Sequence, residues 1–203
     1  MTSIATPRRL ALRETDTVRS GPARRAAVQV PPPIVLRDGW EIALRPVGPA
    51  DAAALQRMHL RLSVDTIRLR FFGLVPTLTD ERAHYFADLD GERRYALAAI
   101  DPENPGDFIA VVRYDRGPAG TADDEPNDEP AEYAAVVRDD WQGHGLGLRM
   151  TQALVAHARE SGIRRLFALV LPENNRMLKL FQHLDLPLHM AWQDGLTRVE
   201  LHL

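Results

Sequence analysis

Residues 132–150 read EYAAVVRDDWQGHGLGLRM and predict a strand, a glycine loop and a helix in direct succession. The apolar run is typical of a buried strand, and Leu146, Met150 and Leu154 recur at the spacing of one buried helix face. Glycines at a helix start let the backbone approach a ligand, while the unpaired N–H groups and the helix dipole attract an anion. The loop therefore indicates a site for a pyrophosphate or similar anion, although glycines at this place also serve as ordinary turn residues.

The spacing of Gly143, Gly145 and Gly147 is Gly-x-Gly-x-Gly. It differs from the dinucleotide fingerprint G-x-G-x-x-G, and it lacks the Lys-Ser/Thr pair that ends a P-loop. The pattern therefore favours an anion site that belongs to neither of those two classes.

Strands and helices are predicted on both sides of this segment. Before it, a strand, three helices and an apolar strand pair joined by a turn-rich link are predicted at 40–46, 51–60, 63–73, 79–87, 95–100 and 108–114. Ser63 is predicted to cap the second helix and Gly73 to end it. After the segment, a strand, a helix and an antiparallel pair turned at Asp194-Gly195 are predicted at 165–171, 173–184, 186–192 and 196–203. This order is typical of a mixed α/β or α+β domain.

Charge is unevenly distributed along the 203 residues, although the formal net charge is only −3. Residues 1–37 hold seven arginines, two acids and three consecutive prolines, so they are predicted to be a flexible tail, with a nucleic-acid-binding arm as the alternative. Residues 38–203 are predicted to form a single domain that carries an acidic, proline-containing loop at 115–131.

Composition excludes several classes of function. The chain has no cysteine, which rules out disulfides, thiolate metal sites and cysteine nucleophiles, and the histidines outside the glycine loop show no metal-ligand spacing. No apolar run reaches the ~18–20 residues of a membrane-spanning helix, and the N-terminus lacks the apolar core of a secretory signal. We therefore expect a cytoplasmic protein with no metal, membrane or nucleic-acid partner, and the oligomeric state stays open.

Two motifs resemble the GNAT superfamily of N-acetyltransferases. Gln142, Gly145 and Gly147 fill its Arg/Gln-x-x-Gly-x-Gly/Ala motif, and residues 174–186, NNRMLKLFQHLDL, resemble its later signature that begins at an asparagine. Residues 62–73, LSVDTIRLRFFG, resemble the first-helix signature of the bacterial Pat-type protein lysine acetyltransferases. The resemblance covers about 165 of the 203 residues, from Asp38 to the end.

This resemblance implies a GNAT-like fold, with a central mixed, mostly antiparallel sheet of six to seven strands flanked by helices. It implies transfer of an acetyl group from acetyl-CoA to an amine, with a protein lysine as the preferred acceptor. Backbone amides near Val136 and Val137 are the implied donors to the thioester oxygen as it becomes an oxyanion. The implied cofactor-binding residues are Val136, Val137, Gln142, Gly143, His144, Gly145, Leu146, Gly147, Asn174 and Met177.

Glu132 is the predicted general base. A lysine ammonium must lose a proton before it attacks, and family members that use a glutamate base carry it at this place on this strand. Strand alternation puts Glu132, Ala134, Val136 and Arg138 on one face. An exposed carboxylate at the end of the acidic loop is the alternative interpretation.

Two departures from the family pattern keep other functions open. Phe181 stands where the family often has a tyrosine that protonates the leaving thiolate, and Asp185-Leu186 replaces the usual Gly-Phe. A non-catalytic acyl-CoA-binding sensor or scaffold, and a small-molecule amine acetyltransferase, are therefore the alternatives. Arginines on the first helices indicate an acceptor of acidic character or a solvated face; they are Arg57, Arg61, Arg68 and Arg70.

Overall fold

The computed structural model describes residues 31–116 and 129–203. The first elements are β1 (Ile34–Val35), β2 (Glu41–Ile42), β3 (Leu44–Pro46), α1 (Ala52–Leu60), α2 (Val64–Phe71) and α3 (Asp80–Ala87). The central strands are β4 (Arg94–Ile100), β5 (Phe108–Asp115) and β6 (Ala131–Val137). The last elements are α4 (Leu146–Glu160), β7 (Arg165–Val170), α5 (Asn175–Gln182), β8 (Leu188–Gln193) and β9 (Leu196–His202).

Seven strands form one sheet in the order β3-β4-β5-β6-β7-β9-β8. Every neighbouring pair in it is antiparallel except β6 and β7, which run parallel. The mostly antiparallel mixed sheet flanked by helices that the sequence predicts is thus confirmed. β4 and β5 are buried on both faces, which explains why they read as continuous apolar runs rather than as alternating patterns.

The core consists of two apolar clusters, one on each face of the sheet. Helix α4 packs on one face, where Leu146, Met150, Leu154 and Ala158 are all buried as their spacing predicts. Helices α1 and α3 cover the other face, over Ala96, Ala98 and Val111. The two faces of the sheet are therefore covered by different helices.

Local signals place the helix ends and the last turn close to where the sequence predicts them. The Ser63 hydroxyl caps α2 by accepting a hydrogen bond from the Thr66 N–H at 3.1 Å. The left-handed residue that ends this helix is Phe72, with φ 58°, so the predicted terminator Gly73 lies one residue beyond it. Asp194 and Gly195 both have positive φ, as a tight hairpin turn between β8 and β9 requires.

The boundary predicted between the tail and the domain lies too late. Ile34 and Leu36 are buried in the α4-side core, and Ile34 pairs with Ile42 in the β1–β2 ladder. Residues 1–30 of the predicted tail lie outside the described residues. The same holds for residues 117–128 of the predicted acidic loop, whose flanks Asp115 and Ala131 belong to β5 and β6.

Candidate active site

Strands β6 and β7 separate along their length. They pair only at Ala131 with Leu166 and at Glu132 with Phe167, after which β7 keeps its pairing with β9 and β6 continues to Val137 beside β5. Within the described part of the chain, residues 133–137 of β6 have no strand partner on the β7 side. A gap therefore opens in the middle of the sheet, directly beyond Glu132.

The phase of the β5–β6 ladder decides which amides face this gap. The Arg138 N–H donates to the Ile109 carbonyl of the β5 side at 2.8 Å, so alternation directs the Val136 N–H toward β5 as well. The N–H groups of Val137 and Ala135 then point into the gap. Of the two residues predicted to supply amides, Val137 therefore presents its N–H to the gap, whereas the N–H of Val136 belongs to the β5–β6 ladder.

The glycine loop and the start of α4 lie at the end of β6. Gly143 and Gly145 have φ of 87° and 84°, in the left-handed region that favours glycine, and Gly145 is the residue directly before the helix. The first turn of α4 holds no acidic residue, and its unpaired N–H groups begin at Leu146, whose side chain is buried in the core. A methyl group added to Gly147 would lie 3.5 Å from Val137 and 3.4 Å from Leu180, so this helix start packs closely against β6 and α5.

The Gln142 side chain joins three elements around the gap. Its Nε2 donates to the Val137 carbonyl at 2.9 Å and to the Thr66 hydroxyl at 3.1 Å, while its Oε1 accepts from Arg176. Asn174 caps α5, since its Oδ1 accepts from the Met177 N–H at 3.1 Å. Of the predicted cofactor-binding residues, these two thus have side chains engaged within the protein.

Three further predicted residues lie around this loop. His144 contacts the Asp38 carboxylate at 2.5 Å through Nδ1, and Met177 packs half-buried against the α4-side core. Phe181 is buried, with its ring 5.3 Å from that of Tyr133 in an edge-to-face arrangement. The structure therefore brings the residues of both predicted motifs to one end of the gap.

Glu132 lies half-buried at the point where β6 leaves β7. Burial raises the pKa of its carboxyl group, the Arg70 and Arg113 guanidiniums oppose that rise, and the Asp115 carboxylate reinforces it. Asp115 and Glu132 are cross-strand partners, so their side chains share a face of the sheet. The half-buried position of Glu132 does not match the alternative interpretation, which is an exposed carboxylate at the end of the acidic loop.

A cavity of about 50 Å³ lies on the same face of the sheet as Glu132. Ala134 and Val136 form its floor, as the predicted alternation requires, and α1 to α3 with their connections supply most of its walls. Arg70 and Arg113 are the guanidiniums in an otherwise largely apolar lining. Arg113 on β5 was missed by the sequence analysis, because a lone arginine in an apolar run gives no signal until the sheet is assembled.

Three of the four arginines predicted to face an acidic acceptor are occupied elsewhere. Arg57 donates to Asp107 at 2.6 Å, Arg61 lies 3.7 Å from Asp101, and Arg68 donates to Glu173 at 2.6 Å. Only Arg70 lines the cavity. The other three lie partly exposed in ion pairs, as the alternative of a solvated helix face describes, and an acidic acceptor facing Arg70 stays a prediction.

Asp139, in the turn after β6, connects that turn to the start of helix α2. The Asp139 carboxylate accepts hydrogen bonds from the Ser63 N–H and from the Ser63 and Thr66 hydroxyls, at 2.7–2.8 Å. Burial works to raise the pKa of Asp139, but these bonds outweigh it and lower that pKa. Helix α2, which carries Arg70, is thereby attached to the turn that leads into the glycine loop.

Among residues 31–116 and 129–203, no helix is long and apolar enough to cross a membrane. The same residues contain no group of three or more His, Cys, Asp or Glu side chains placed to hold a metal ion.

Comparison with known proteins reports the same family that the motifs resemble. The model of the family described as the acetyltransferase (GNAT) domain matches residues 41–186. The structure of the GNAT domain of S. lividans PAT superposes with a TM-score of 0.75 at 39% identity, covering 84% of this chain and 96% of that one.

Two curated proteins are similar over most of this chain. The acetyltransferase Pat of Mycolicibacterium smegmatis is 30% identical over 167 residues, which are 82% of this chain and 47% of that protein. The acetyltransferase PA5475 of Pseudomonas aeruginosa is 26% identical over 147 residues, 71% of this chain and 74% of that protein. The chain thus spans about half the length of the first relative and about three quarters of the second.

Proposed function

The chain belongs to the GNAT acetyltransferase family, and on that premise we propose that it acetylates protein lysines from acetyl-CoA with Glu132 as the general base. Membership makes it an acyltransferase that uses an acyl-CoA and an amine. The acetyl group, the lysine acceptor and the base are the proposed parts. The single observation that carries the proposed base is a half-buried glutamate, with a pKa raised by burial, at the point where β6 leaves β7.

Acyl-CoA binding is assigned to the end of β6 and the start of α4. The free amides of the first helical turn suit the pyrophosphate, because they donate hydrogen bonds at the positive end of the helix dipole. The N–H groups of Ala135 and Val137, which face the gap, suit the amide oxygen of the pantetheine arm and the thioester oxygen. The side chains of Gln142 and Asn174 then act as braces that hold this backbone in position.

Glu132 supplies the proton transfer. Its carboxylate accepts a proton from the lysine ammonium, directly or through a water molecule, and the neutral amine attacks the thioester carbon. The oxyanion that forms collapses, the C–S bond breaks and coenzyme A leaves as a thiolate. The attacking nitrogen, which still carries one proton too many, releases it to solvent water to give the neutral amide. A raised pKa suits this base, because it brings the carboxyl group closer to the pH at which the enzyme works.

A proton donor for the thiolate is not apparent on α5. Phe181 cannot donate, and the hydroxyl of the neighbouring Tyr133 is bonded to the Thr151 hydroxyl at 2.7 Å. Burial raises the pKa of Tyr133, which makes it a poorer acid still. We propose that the thiolate leaves unprotonated and takes its proton from solvent, since a thiol is a fair acid already.

The lysine acceptor rests on the resemblance of residues 62–73 to the Pat-type signature and on the similarity to the GNAT domain of S. lividans PAT. The test is incubation of the full chain with acetyl-CoA and a lysine-rich protein, with thiol release and acetyl-lysine measured by mass spectrometry. Acetyl-lysine formation supports the proposal. Binding of coenzyme A without transfer to any amine contradicts it and favours the sensor or scaffold that Phe181 left open.

Gly145→Ala is expected to weaken acetyl-CoA binding about tenfold or more, a difference of about 1.4 kcal/mol. Gly145 has φ 84°, which costs a residue with a Cβ roughly 1–2 kcal/mol, so the loop relaxes and turns its amides away from the pyrophosphate. Calorimetry with acetyl-CoA measures the change in Kd.

Gly91→Ala is the matched control for this variant. Gly91 also has φ 84° with open space around its Cβ position, but it lies in the turn before β4. It should lose similar thermal stability and keep the wild-type Kd. Equal Kd changes in both variants would show that general strain, rather than the loop, governs binding.

A further inference from the structure

Two guanidiniums that line the cavity lack hydrogen-bond acceptors among the residues that the structure describes. Arg113 is 7% exposed, and within the described residues its buried Nη2 has no hydrogen-bond partner, with the Asp115 carboxylate 3.7 Å away. Arg70 is half-buried and makes no hydrogen bond or ion pair with any residue that the structure describes. Each guanidinium carries five N–H donors in a planar fork, and leaving such donors unpaired in a buried place is costly.

The surroundings leave the edges of both guanidiniums available. Arg113 lies over the Phe86 ring at 4.7 Å and Arg70 over the Phe71 ring at 4.9 Å, contacts that cover faces and not N–H edges. Asp115, the nearest acid to Arg113, accepts from Arg94 at 3.0 Å. Among the described residues, Arg113 therefore shares the Asp115 carboxylate with Arg94, and the buried Nη2 of Arg113 keeps donors that have no acceptor.

The position of the cavity assigns it to the acceptor. The glycine loop and α4 lie on the face of the sheet that Tyr133 and Phe181 occupy, whereas the cavity lies on the opposite face, between the sheet and α1 to α3. A donor held at the start of α4 reaches Glu132 through the gap between β6 and β7. The acceptor must then approach from the cavity side, past Arg70.

We propose that Arg70 and Arg113 together bind a carboxylate that the acceptor carries close to its reacting amine. This inference rests on the proposed function and deepens it: the preferred substrate is a lysine with a neighbouring acidic residue. Two planar forks with donors that lack acceptors among the described residues suit the two oxygens of one carboxylate. The apolar walls accommodate the methylene groups of the lysine stem.

The test compares two capped peptides, Gly-Asp-Lys-Gly and Gly-Asn-Lys-Gly, as acceptors of acetyl-CoA with the full chain. Wild type should prefer the aspartate peptide about tenfold or more in kcat/KM, chiefly through KM, as a charge-assisted hydrogen-bonded pair implies. Arg70→Gln and Arg113→Gln should reduce this preference to about threefold or less. Arg70→Gln carries the test alone if Arg113→Gln does not fold, because Arg70 is only half-buried on a helix.

Arg57→Gln is the matched control. Arg57 lies on the neighbouring helix α1 and pairs with Asp107 and the Gly106 carbonyl, so the peptide preference should stay at its wild-type value. A comparison of lysine with lysinamide distinguishes the source of the carboxylate. If the enzyme prefers lysine to lysinamide but does not distinguish the two peptides, the bound carboxylate is that of the acceptor lysine itself. The proposed acidic neighbour is then wrong.

Several outcomes would overturn the assignment. Equal turnover and equal binding of the two peptides by the wild type would contradict it. A preference for the aspartate peptide that persists in Arg70→Gln would contradict it as well. If the two arginines act only on the pKa of Glu132, their substitution changes kcat/KM for both peptides by the same factor. The ratio between the two peptides then stays at its wild-type value. A preference confined to succinyl-CoA over butyryl-CoA would place the carboxylate on the donor.

Calorimetry with the same peptides separates this inference from the proposed function. Preferential binding of the aspartate peptide that depends on Arg70, without acetyl transfer, contradicts only the proposed function. Transfer to both peptides without preference contradicts only the carboxylate site.

Discussion

Glu132→Gln is expected to lower kcat for acetyl transfer at neutral pH by about 10²- to 10⁴-fold, the range over which a positioned general base acts. Glutamine keeps the size and one acceptor oxygen of the side chain but cannot take a proton from the ammonium. Binding of acetyl-CoA should stay at its wild-type value, because the amides assigned to it lie beyond Glu132, on β6 and in the first turn of α4. Steady-state kinetics and calorimetry on the same preparation measure both quantities.

The pH profile gives the same prediction a second readout. Burial raises the pKa of Glu132, so kcat in the wild type should rise with pH through a higher value than an ordinary glutamate would give. The residual activity of Glu132→Gln should lack this limb. A variant with unchanged kcat and an unchanged profile would remove Glu132 from the mechanism.

Glu132→Gln should raise the thermal stability of the protein at pH 8, although it lowers kcat. A carboxyl group whose folded pKa is raised contributes stability below its unfolded pKa, and this contribution is lost as the pH rises through the folded pKa. At pH 8 the wild type buries a charge that Glu132→Gln lacks, so the variant should unfold at a higher temperature. The difference should shrink toward pH 4, because the carboxyl group becomes increasingly protonated in both states as the pH falls through the ordinary pKa of a glutamate.

Glu103→Gln is the control for these measurements. Glu103 is an exposed glutamate in the link between β4 and β5, and its backbone N–H, not its side chain, makes its one hydrogen bond to Asp101. The same chemical change there should leave kcat, the pH profile and the unfolding temperature at wild-type values. Thermal unfolding followed by circular dichroism at both pH values completes the comparison.

Arg138→Met is expected to destabilise the fold by about 3–5 kcal/mol, the cost of leaving one member of a buried ion pair without its partner. Arg138 is 3% exposed and donates to the Asp101 carboxylate, itself 1% exposed, at 2.7 Å. In the described part of the chain only Arg61, at 3.7 Å, is also ion-paired with Asp101. A domain of this size loses ~2–4 °C of Tm for each kcal/mol, so the fall in Tm should be large.

A second substitution distinguishes the buried charge from lost packing. Adding Asp101→Asn to Arg138→Met removes the unpaired carboxylate, and the double variant should recover part of the lost stability. Arg57→Gln breaks the exposed Arg57–Asp107 pair and should cost at most about 1 kcal/mol. Equal losses from Arg138→Met and Arg57→Gln would show that the Arg138–Asp101 pair behaves as a surface contact.

The position of Arg138 connects this stability to the site. It follows β6 directly, its N–H extends the ladder to β5, and its guanidinium also binds Asp140 at 2.6 and 2.8 Å. Asp139 of the same turn holds the start of α2. The turn between the predicted base and the glycine loop is therefore held by charge-assisted hydrogen bonds to Asp101 and to the start of α2.

Local patterns in the sequence predicted nearly every element and the neighbourhood of the site. The Ser63 cap, the buried face of α4 and the Asp194-Gly195 turn follow from interactions within a few residues, which a sequence displays directly. Glu132 and the glycines were found because they lie on one continuous segment that resembles a family motif.

Contacts between distant segments could not be predicted in the same way. Strand alternation predicts that the N–H groups of successive residues point to opposite edges of the strand. Only the register with β5 decides that the Val137 N–H faces the gap and the Val136 N–H does not. Likewise, Arg57 and Arg70 look alike on two successive helices. The hairpin after β4 brings Asp107 to Arg57. No described acid comes within ion-pair distance of Arg70.

The sequence by itself thus determined the order of the elements, the family and the residue that we propose as the base, because these depend on local propensity and on short motifs. The tertiary structure alone decided which groups surround that base. Arg113 comes from β5, Arg70 from α2 and Asp115 from the end of β5, and they meet Glu132 only when the sheet pairs and the helices pack on it. Burial and charge at the site are properties of that assembly. The raised pKa of Glu132 and the guanidinium donors that lack hydrogen-bond acceptors among the described residues therefore exist only in the folded chain.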